Sequence, residues 1–177
     1  MVKIFSLFVF FLTSFSLSAK EKNNTVSQIE ANDVDYDGKK IRLAGAVRIE
    51  HSFGELYCQK AVVLLAQKDP EKRASPDRIL LEGDVKVILR NGAHLTSQEA
   101  DLDCNTLEAV FTATPPTKVV YVTAPTEGIQ NTPMKASSRA MRVKMKKNES
   151  SEYAISDLQG EDAVMIEYLN SLSKDTE

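Results

Sequence analysis

The sequence is poor in the residues from which most catalytic and metal centres are built. It has no tryptophan, two cysteines and two histidines, and only 7% of its residues are aromatic. Zinc sites and cysteine-dependent catalysis draw on cysteine and histidine clusters, so these classes are disfavoured. Aspartate and glutamate (25) outnumber lysine and arginine (22), which argues against a nucleic-acid partner. What the chain has in quantity is short alternating apolar segments.

The N-terminus has the pattern of a secretory signal. Lys3 supplies the positive charge, Ile4–Leu17 the apolar run, and Ala19 ends a set of small residues. A retained membrane anchor is the alternative, but the run is shorter than the roughly 20 apolar residues that span a bilayer. We therefore predict a signal peptide over 1–19, cleavage after it, and a periplasmic mature protein.

The domain boundaries follow from composition. Residues 20–28 are polar and are predicted to be a flexible N-terminus. Residues 29–169 carry the alternating pattern and form one domain, and 170–177 are a polar tail. Residues 67–77 contain two prolines and six charges, which predicts a solvated loop.

A short sequence pattern that recurs four times organises this domain. A small residue is followed three positions later by a residue with a side chain, and then by one or two more at steps of two. Steps of two are typical of β-strands, and repetition at this scale predicts stacked copies of one unit. Alternating segments centred on Gly45, Gly83, Ala113 and Gly160 follow the copies. The first copy consists of Ala31, Val34 and Tyr36, and the second of Cys58, Ala61, Val63 and Leu65. The third consists of Ser97, Ala100, Leu102 and Cys104, and the fourth of Ser138, Met141, Val143 and Met145.

Turn and breaker residues divide the pattern into strands. Asn91-Gly92 is a strong hairpin signal, and Pro115-Pro116 predicts the end of a strand. The spacing slips by one residue between Ile155 and Leu158, which predicts a β-bulge. Residues 162–172 fit either a last strand or a short helix. Together these features predict an elongated, all-β fold of short antiparallel strands.

Several groups of residues resemble parts of known functional sites. Asp33-x-Asp35-x-Asp37-Gly38 resembles the start of a calcium loop, but an alanine stands where the bidentate acid belongs. His51 and His94 lack the spacing of metal ligands and any marked nucleophile partner. Cys58 and Cys104 fall on opposite strand parities, so a disulfide would need a bulge; two buried free thiols are the alternative. We predict no enzyme activity, no metal and no cofactor.

The phased segments resemble the OstA-like repeat of the lipopolysaccharide transport proteins LptA and LptC and of the periplasmic part of LptD. The segments that carry the resemblance are 31–37 with 43–49, 80–87 and 97–103, and it extends over about 29–166. The resemblance implies an OstA-like β-jellyroll, V-shaped like a taco. It further implies a lipid carrier that binds the acyl chains of lipopolysaccharide in an apolar trough and passes the lipid from inner to outer membrane.

The same resemblance implies partners and site residues. The partners are lipopolysaccharide or lipid A, LptC-like and LptD-like domains, and further copies of the chain joined head to tail. Basic residues at the rim would meet lipid phosphates: Lys39, Lys40, Arg42, Lys118, Arg139, Arg142, Lys144, Lys146 and Lys147. The alternative is a packed, lipid-free scaffold or adhesive module. The residues predicted to line the trough are Ile41, Leu43, Val47, Ile49, Ala61, Val63, Leu65, Leu81, Val85, Val87, Leu102, Phe111, Met141, Val143 and Met145.

Overall fold

A computed structural model describes residues 26–66, 76–124, 133–147, 153–162 and 164–168. The predicted signal peptide, most of the loop at 67–77 and the C-terminal tail lie outside these residues. Twelve strands and no helix are found in the described ranges, which confirms the all-β prediction. The strands are β1 (Val26–Glu30), β2 (Asp33–Tyr36), β3 (Lys40–His51), β4 (Gly54–Leu65), β5 (Pro76–Leu89), β6 (His94–Asp103), β7 (Glu108–Thr112), β8 (Val119–Val122), β9 (Met134–Ser138), β10 (Ala140–Lys147), β11 (Tyr153–Glu161) and β12 (Met165–Tyr168).

All strands pair antiparallel in one sheet that does not close into a barrel. The long strands β3 to β6 run through its middle, and their pairing shifts register halfway along. These shifts divide the sheet into two arms. Arm A comprises β2, β7, β10 and β11 with one half of each long strand. Arm B comprises β1, β8, β9 and β12 with the other half. The result is an elongated, jellyroll-like architecture.

The line between the arms is made by residues in the left-handed backbone region. Gly45 and Ala46 have φ of 73° and 49°, and Gly83 and Asp84 have φ of 77° and 50°. Two consecutive residues of this kind turn the strand, so that side chains of the same parity face the interior on both sides of the corner. Glycine is the first residue of each pair because a φ of this size is unfavourable for residues that have a side chain. There is also too little space for a Cβ at this position.

A polar residue covers each corner. A Cβ on Gly45 would lie 2.7 Å from Asn32 Nδ2, and one on Gly83 would lie 2.7 Å from Gln59 Oε1. The same place in the next copy is held by Gln98, whose Oε1 accepts a hydrogen bond from the Thr114 N–H (2.6 Å). In the last copy it is held by Arg139, whose Nε lies 2.8 Å from Asp162 Oδ2.

The strands show where the predicted bulge, strand break and strand boundaries lie. The bulge predicted after Ile155 is confirmed, because Met145 pairs with Ile155 while Lys144 pairs with Asp157. The strand break at Pro115-Pro116 is confirmed between β7 and β8. Of the two alternatives for 162–172, the described part is a strand. β1 begins at Val26, three residues before the domain boundary suggested by composition, because it pairs with the end of β3.

The core lies between the arms. Buried apolar side chains from both arms form one cluster. Charged residues alternate with them on the outer faces, which is the pattern of a sheet with one buried face. The burial of every second side chain along β10 shows this alternation directly.

Glycine at the corner can be tested by comparing two alanine substitutions at positive φ. Gly83→Ala should destabilise the protein by about 2 to 3 kcal/mol, because strain adds to the contact with Gln59. Gly38→Ala should lower the free energy of unfolding by only about 1 kcal/mol, since no atom of the described residues lies within 4 Å of the position that the added Cβ would take. Urea unfolding followed by circular dichroism measures both. Equal losses would show that the corner is not sterically restricted.

Candidate functional site

The interior of arm A is lined by apolar residues placed side by side on neighbouring strands. One cross-strand row runs Val34, Leu43, Ala61, Leu81, Ala100, Phe111 and Met141. The next runs Tyr36, Ile41, Val63, Ile79, Leu102, Ala109, Val143 and Leu158. Because each row crosses the whole arm, its apolar surface is continuous from β2 to β10 or β11.

Arm B presents a matching inner row. It runs Ile29, Ile49, Leu56, Val87, Leu95, Tyr121, Ala136 and Ile166, from β1 to β12. Eight strands at about 4.8 Å spacing give the interior a length of roughly 34 Å. The two arms therefore enclose a long apolar interior that crosses the strands.

The two ends of this interior are not covered in the described structure. At one end Val34 and Tyr36 are 62% and 60% exposed, although both belong to inner rows. At the other end Ile166 is 55% exposed and Met165 beside it is 49% exposed. The strands at these ends each pair on one side only within the described residues. Both ends thus combine exposed apolar side chains with unpaired strand edges.

The long side opposite the corners is closed by side chains from strand tips. Phe53, in the turn after β3, is buried in arm B, and Tyr153 begins β11 in arm A. Their ring centroids lie 6.4 Å apart in an edge-to-face arrangement. The strand pairings, in contrast, lie within each arm. Side-chain packing holds the tips together, whereas backbone hydrogen bonds hold each arm.

The structure brings the predicted lining residues together on the inner faces. Thirteen of the fifteen are buried, none more than 6% exposed, and Ile41 and Leu65 are partly buried against the same cluster. The alternating pattern left open whether the interior is packed or accessible. In the structure it is packed, because the apolar rows of the two arms fill the space between them.

The interior contains two thiols and no disulfide. Cys58 and Cys104 are both buried, and neither takes part in a disulfide bond. The opposite parities inferred from sequence do not hold here, because the register shift between Tyr57 and Lys60 lets Cys58 face inward. Burial raises the pKa of Cys58 to about 11 and that of Cys104 to about 12. Both thiols are therefore neutral at physiological pH and behave as apolar side chains.

A histidine lies beside the aromatic contact that closes the tips. His51 is fully buried and packs against Phe53, with ring centroids 4.1 Å apart and ring planes tilted by 41°. Its Nδ1 accepts a hydrogen bond from the Phe53 N–H (3.3 Å). Its Nε2 has no hydrogen-bond partner among the described residues. Burial, with a smaller effect of Arg90, lowers the pKa of His51 to about 4. The neutral ring is thus part of the packing.

The predicted basic rim residues lie on outer faces and at strand tips, except that Arg139 covers a corner. Several are already paired: Arg42 with Asp35 (2.5 Å) and Asp37 (3.0 Å), and Lys144 with Glu108 (2.8 Å). Lys147 lies at the tip of β10, and its Nζ is 5.8 Å from the Tyr153 ring centroid. Arg90, in the tip after β5, donates to the Ser52 carbonyl (2.9 Å). Cations therefore flank the line where the tips meet.

The aspartates of the possible calcium loop have other contacts. The Asp37 carboxylate accepts hydrogen bonds from the Lys39 and Lys40 backbone N–H groups, the first of which is the main cause of its lowered pKa. Asp35 pairs with Arg42. In the part of the chain that the structure describes, no group of acidic, histidine or cysteine side chains is arranged to hold a metal ion.

Sequence reasoning missed the residues that cover the corners. The signal was available, because the residue after the small one in each copy is polar: Asn32, Gln59, Gln98 and Arg139. A polar side chain at this point looks like an ordinary exposed residue until the fold places it over the next corner. The contact of His51 with Phe53 was missed as well, since a histidine beside a turn is no guide to burial.

Comparison with known proteins adds no identification. No family model matches the chain, and no curated protein matches it either. The described residues contain no helix with the length and apolar character needed to cross a membrane. The class that the structure defines is an all-β, jellyroll-like protein with a long apolar interior. The OstA-like resemblance stays a prediction.

Acid should destabilise the protein through His51. The folded pKa lies below the unfolded value of 6.5, so the unfolded state binds the proton more readily between the two. This contribution is present above about pH 6.5 and is lost towards pH 4. It amounts to roughly 3 kcal/mol. Urea unfolding at pH 7 and pH 4.5 measures the difference.

The control is the same substitution at each histidine. His51→Asn, which keeps a side-chain acceptor near the Phe53 N–H, should lower stability but flatten the pH dependence. His94→Asn should leave the wild-type dependence in place. A wild-type slope in the His51 variant would assign the acid sensitivity to other groups.

Proposed function

We propose that this chain is a periplasmic lipid carrier that binds the acyl chains of lipopolysaccharide between its two arms and passes the lipid from inner to outer membrane. The observation that carries the proposal is the continuous apolar interior, uncovered at both ends of the described sheet, whose two arms are joined by the backbone only along the line of corners. The OstA-like resemblance of the repeats points the same way. No covalent step is involved.

Loading requires the arms to part, because the inner side chains fill the interior. Separation at the tips would break side-chain contacts such as that of Phe53 with Tyr153 and would leave the strand pairings of each arm intact. An acyl chain offsets this loss by burying its own surface, at roughly 0.8 kcal/mol per methylene. A chain of about twelve carbons can therefore supply some 9 to 10 kcal/mol.

The charges at the tips suit an amphiphile with an anionic headgroup. Lys146 and Lys147 in arm A and Arg90 in arm B are exposed beside the line where acyl chains would enter. Phosphates of lipid A held there would leave the sugars in solvent while the chains lie inside. Such pairing with phosphate is charge-assisted and adds orientation to the apolar binding.

The two ends of the interior support assembly into a bridge. The edge strands β1 and β2 at one end and β11 and β12 at the other each have one edge that no other described strand pairs with, and exposed edges pair readily with another strand. Head-to-tail stacking would also cover Val34 and Tyr36 with Met165 and Ile166 of the next copy. The same ends would receive LptC-like and LptD-like partners.

A second candidate is a lipid-free scaffold or adhesive module. The observation that favours it is the packing of the interior, in which Leu43, Val85 and Leu102 are at most 3% exposed. In such a protein the arms would never part, and the ends alone would act, by binding other proteins.

Photo-crosslinking separates the two candidates. Benzoylphenylalanine replaces Phe53 at the tips, Phe111 in the interior, or Tyr57 on the outer face of arm B. Purified lipopolysaccharide should form adducts at positions 53 and 111 and not at position 57, because only Phe53 and Phe111 contact the interior. Gel mobility and mass spectrometry detect the adducts, and circular dichroism verifies folding. Folded variants without interior adducts would favour the scaffold.

End-to-end assembly has its own test. The mature protein should form linear oligomers that grow with concentration, and Ile166→Glu should reduce it to a monomer by placing a charge in the apolar end. Thr106→Glu, in the exposed turn after β6, adds the same charge away from both ends and should leave assembly unchanged. Light scattering after size exclusion measures the mass. A wild-type protein that stays monomeric at millimolar concentration would contradict assembly.

A further inference from the structure

Three strands of arm A lose their alternation on the outer face. The segments 61–65, 79–81 and 109–111 are unbroken apolar runs, so Val62, Leu80 and Val110 are apolar where an outward residue is normally polar. Runs of this kind are typical of strands covered on both faces. Yet Leu80 is 37% exposed. The outer face of arm A therefore carries apolar side chains that nothing in the described chain covers.

Strand register gathers these residues at the floor of a groove. Arg42 pairs with Val62, Val62 with Leu80, Leu80 with Asp101, and Asp101 with Val110, so all lie in one cross-strand row. The groove over this row has a volume of about 960 Å³ and extends from β2 to β7. Most of its lining residues belong to rows that face away from the interior proposed to hold acyl chains, and buried members of the inner row such as Leu43 and Leu81 border it between them. This size is within the range of small-molecule sites.

The neighbouring row places two carboxylates directly opposite each other. Glu82 pairs in register with Glu99, and Lys60 forms an ion pair with Glu82 (3.1 Å). Glu99 receives a hydrogen bond from Thr112 Oγ1 (3.5 Å), and no lysine or arginine among the described residues pairs with it. Like charges directly opposite in a sheet repel each other. A cation bound between them would relieve this repulsion.

The balance of charge around the groove selects the sign of its ligand. Five carboxylates and two cations line it, and a third cation, Arg78, which is not a lining residue, pairs with the carboxylate of Asp101. The carboxylates are those of Asp33, Asp35, Glu82, Glu99 and Asp101, and the lining cations are Arg42 and Lys60. Such a surface attracts a cation and repels an anionic amphiphile such as a lipid phosphate.

We propose that this groove binds an alkylammonium compound. Its ammonium group lies at Glu99 and Glu82, and its alkyl chain extends over Leu80 and Val62 towards β3. Three strand spacings separate β6 from β3, about 14 Å, which a dodecyl chain can cover. The site combines a charge that orients the ligand with an apolar floor that removes its chain from water.

Titration with dodecylammonium below its micellar concentration tests the proposal on the full mature protein. Isothermal calorimetry should show saturable binding of one ligand per chain. Leu80→Thr should weaken binding about tenfold by removing apolar contact. Glu99→Gln should weaken it about three- to tenfold by removing the charge. Ile88→Thr is the matched control, because Ile88 is an outward residue of the same strand in arm B, and it should bind as the wild type does.

Two further ligands and a check that the variants fold serve as controls. Dodecyl sulfate should show no binding that depends on Leu80, and spermine, which lacks an alkyl chain, should bind more weakly than dodecylammonium. Leu80 and Glu99 are exposed, so both variants should fold, as urea unfolding verifies. Equal binding in the Leu80 and Ile88 variants, or in Glu99→Gln and wild type, would overturn the proposal. So would self-association without ligand that Leu80→Thr abolishes, since the occupant would then be a second copy.

Discussion

The fold depends on turning one apolar sheet face back on itself. A single sheet with an apolar face cannot leave that face in water, and this one has no helix in the described residues to cover it. It covers the face by bending along a line of left-handed residues, which include Gly45 and Gly83. Alternation supplies the apolar face, and the corners supply the change of direction. Without the corners the same strands would form a flat sheet with a large exposed apolar surface.

Much of this architecture could be predicted from sequence, because it rests on local rules. Strand periodicity identified the inward residues, of which Leu43, Val85 and Val143 are examples that are buried. Turn signals such as Asn91-Gly92 placed the hairpins, and the slip after Ile155 marked a bulge. These features depend on residues close together in the chain, so a pattern in one stretch is enough to reveal them.

What sequence did not reveal depends on pairs of residues distant in the chain. Whether the interior is packed or open depends on how arm A meets arm B, and Phe53 with Tyr153 is a contact across a hundred residues of sequence. The inward position of Cys58 depends on a register shift with a neighbouring strand. The outward apolar row around Leu80 was visible as broken alternation, but only register shows that its members are adjacent.

The four long strands pass through the line of corners without interruption, and this has a consequence for how the arms could move. One arm cannot tilt at a single strand, because within the arm that strand is hydrogen-bonded to its neighbours. Any separation is shared along the entire line. On the proposed function, the binding of a first acyl chain would therefore supply most of the free energy needed to separate the arms. A second acyl chain would enter a space already widened. Occupancy would be cooperative, through a mechanical coupling that needs no contact between the two acyl chains.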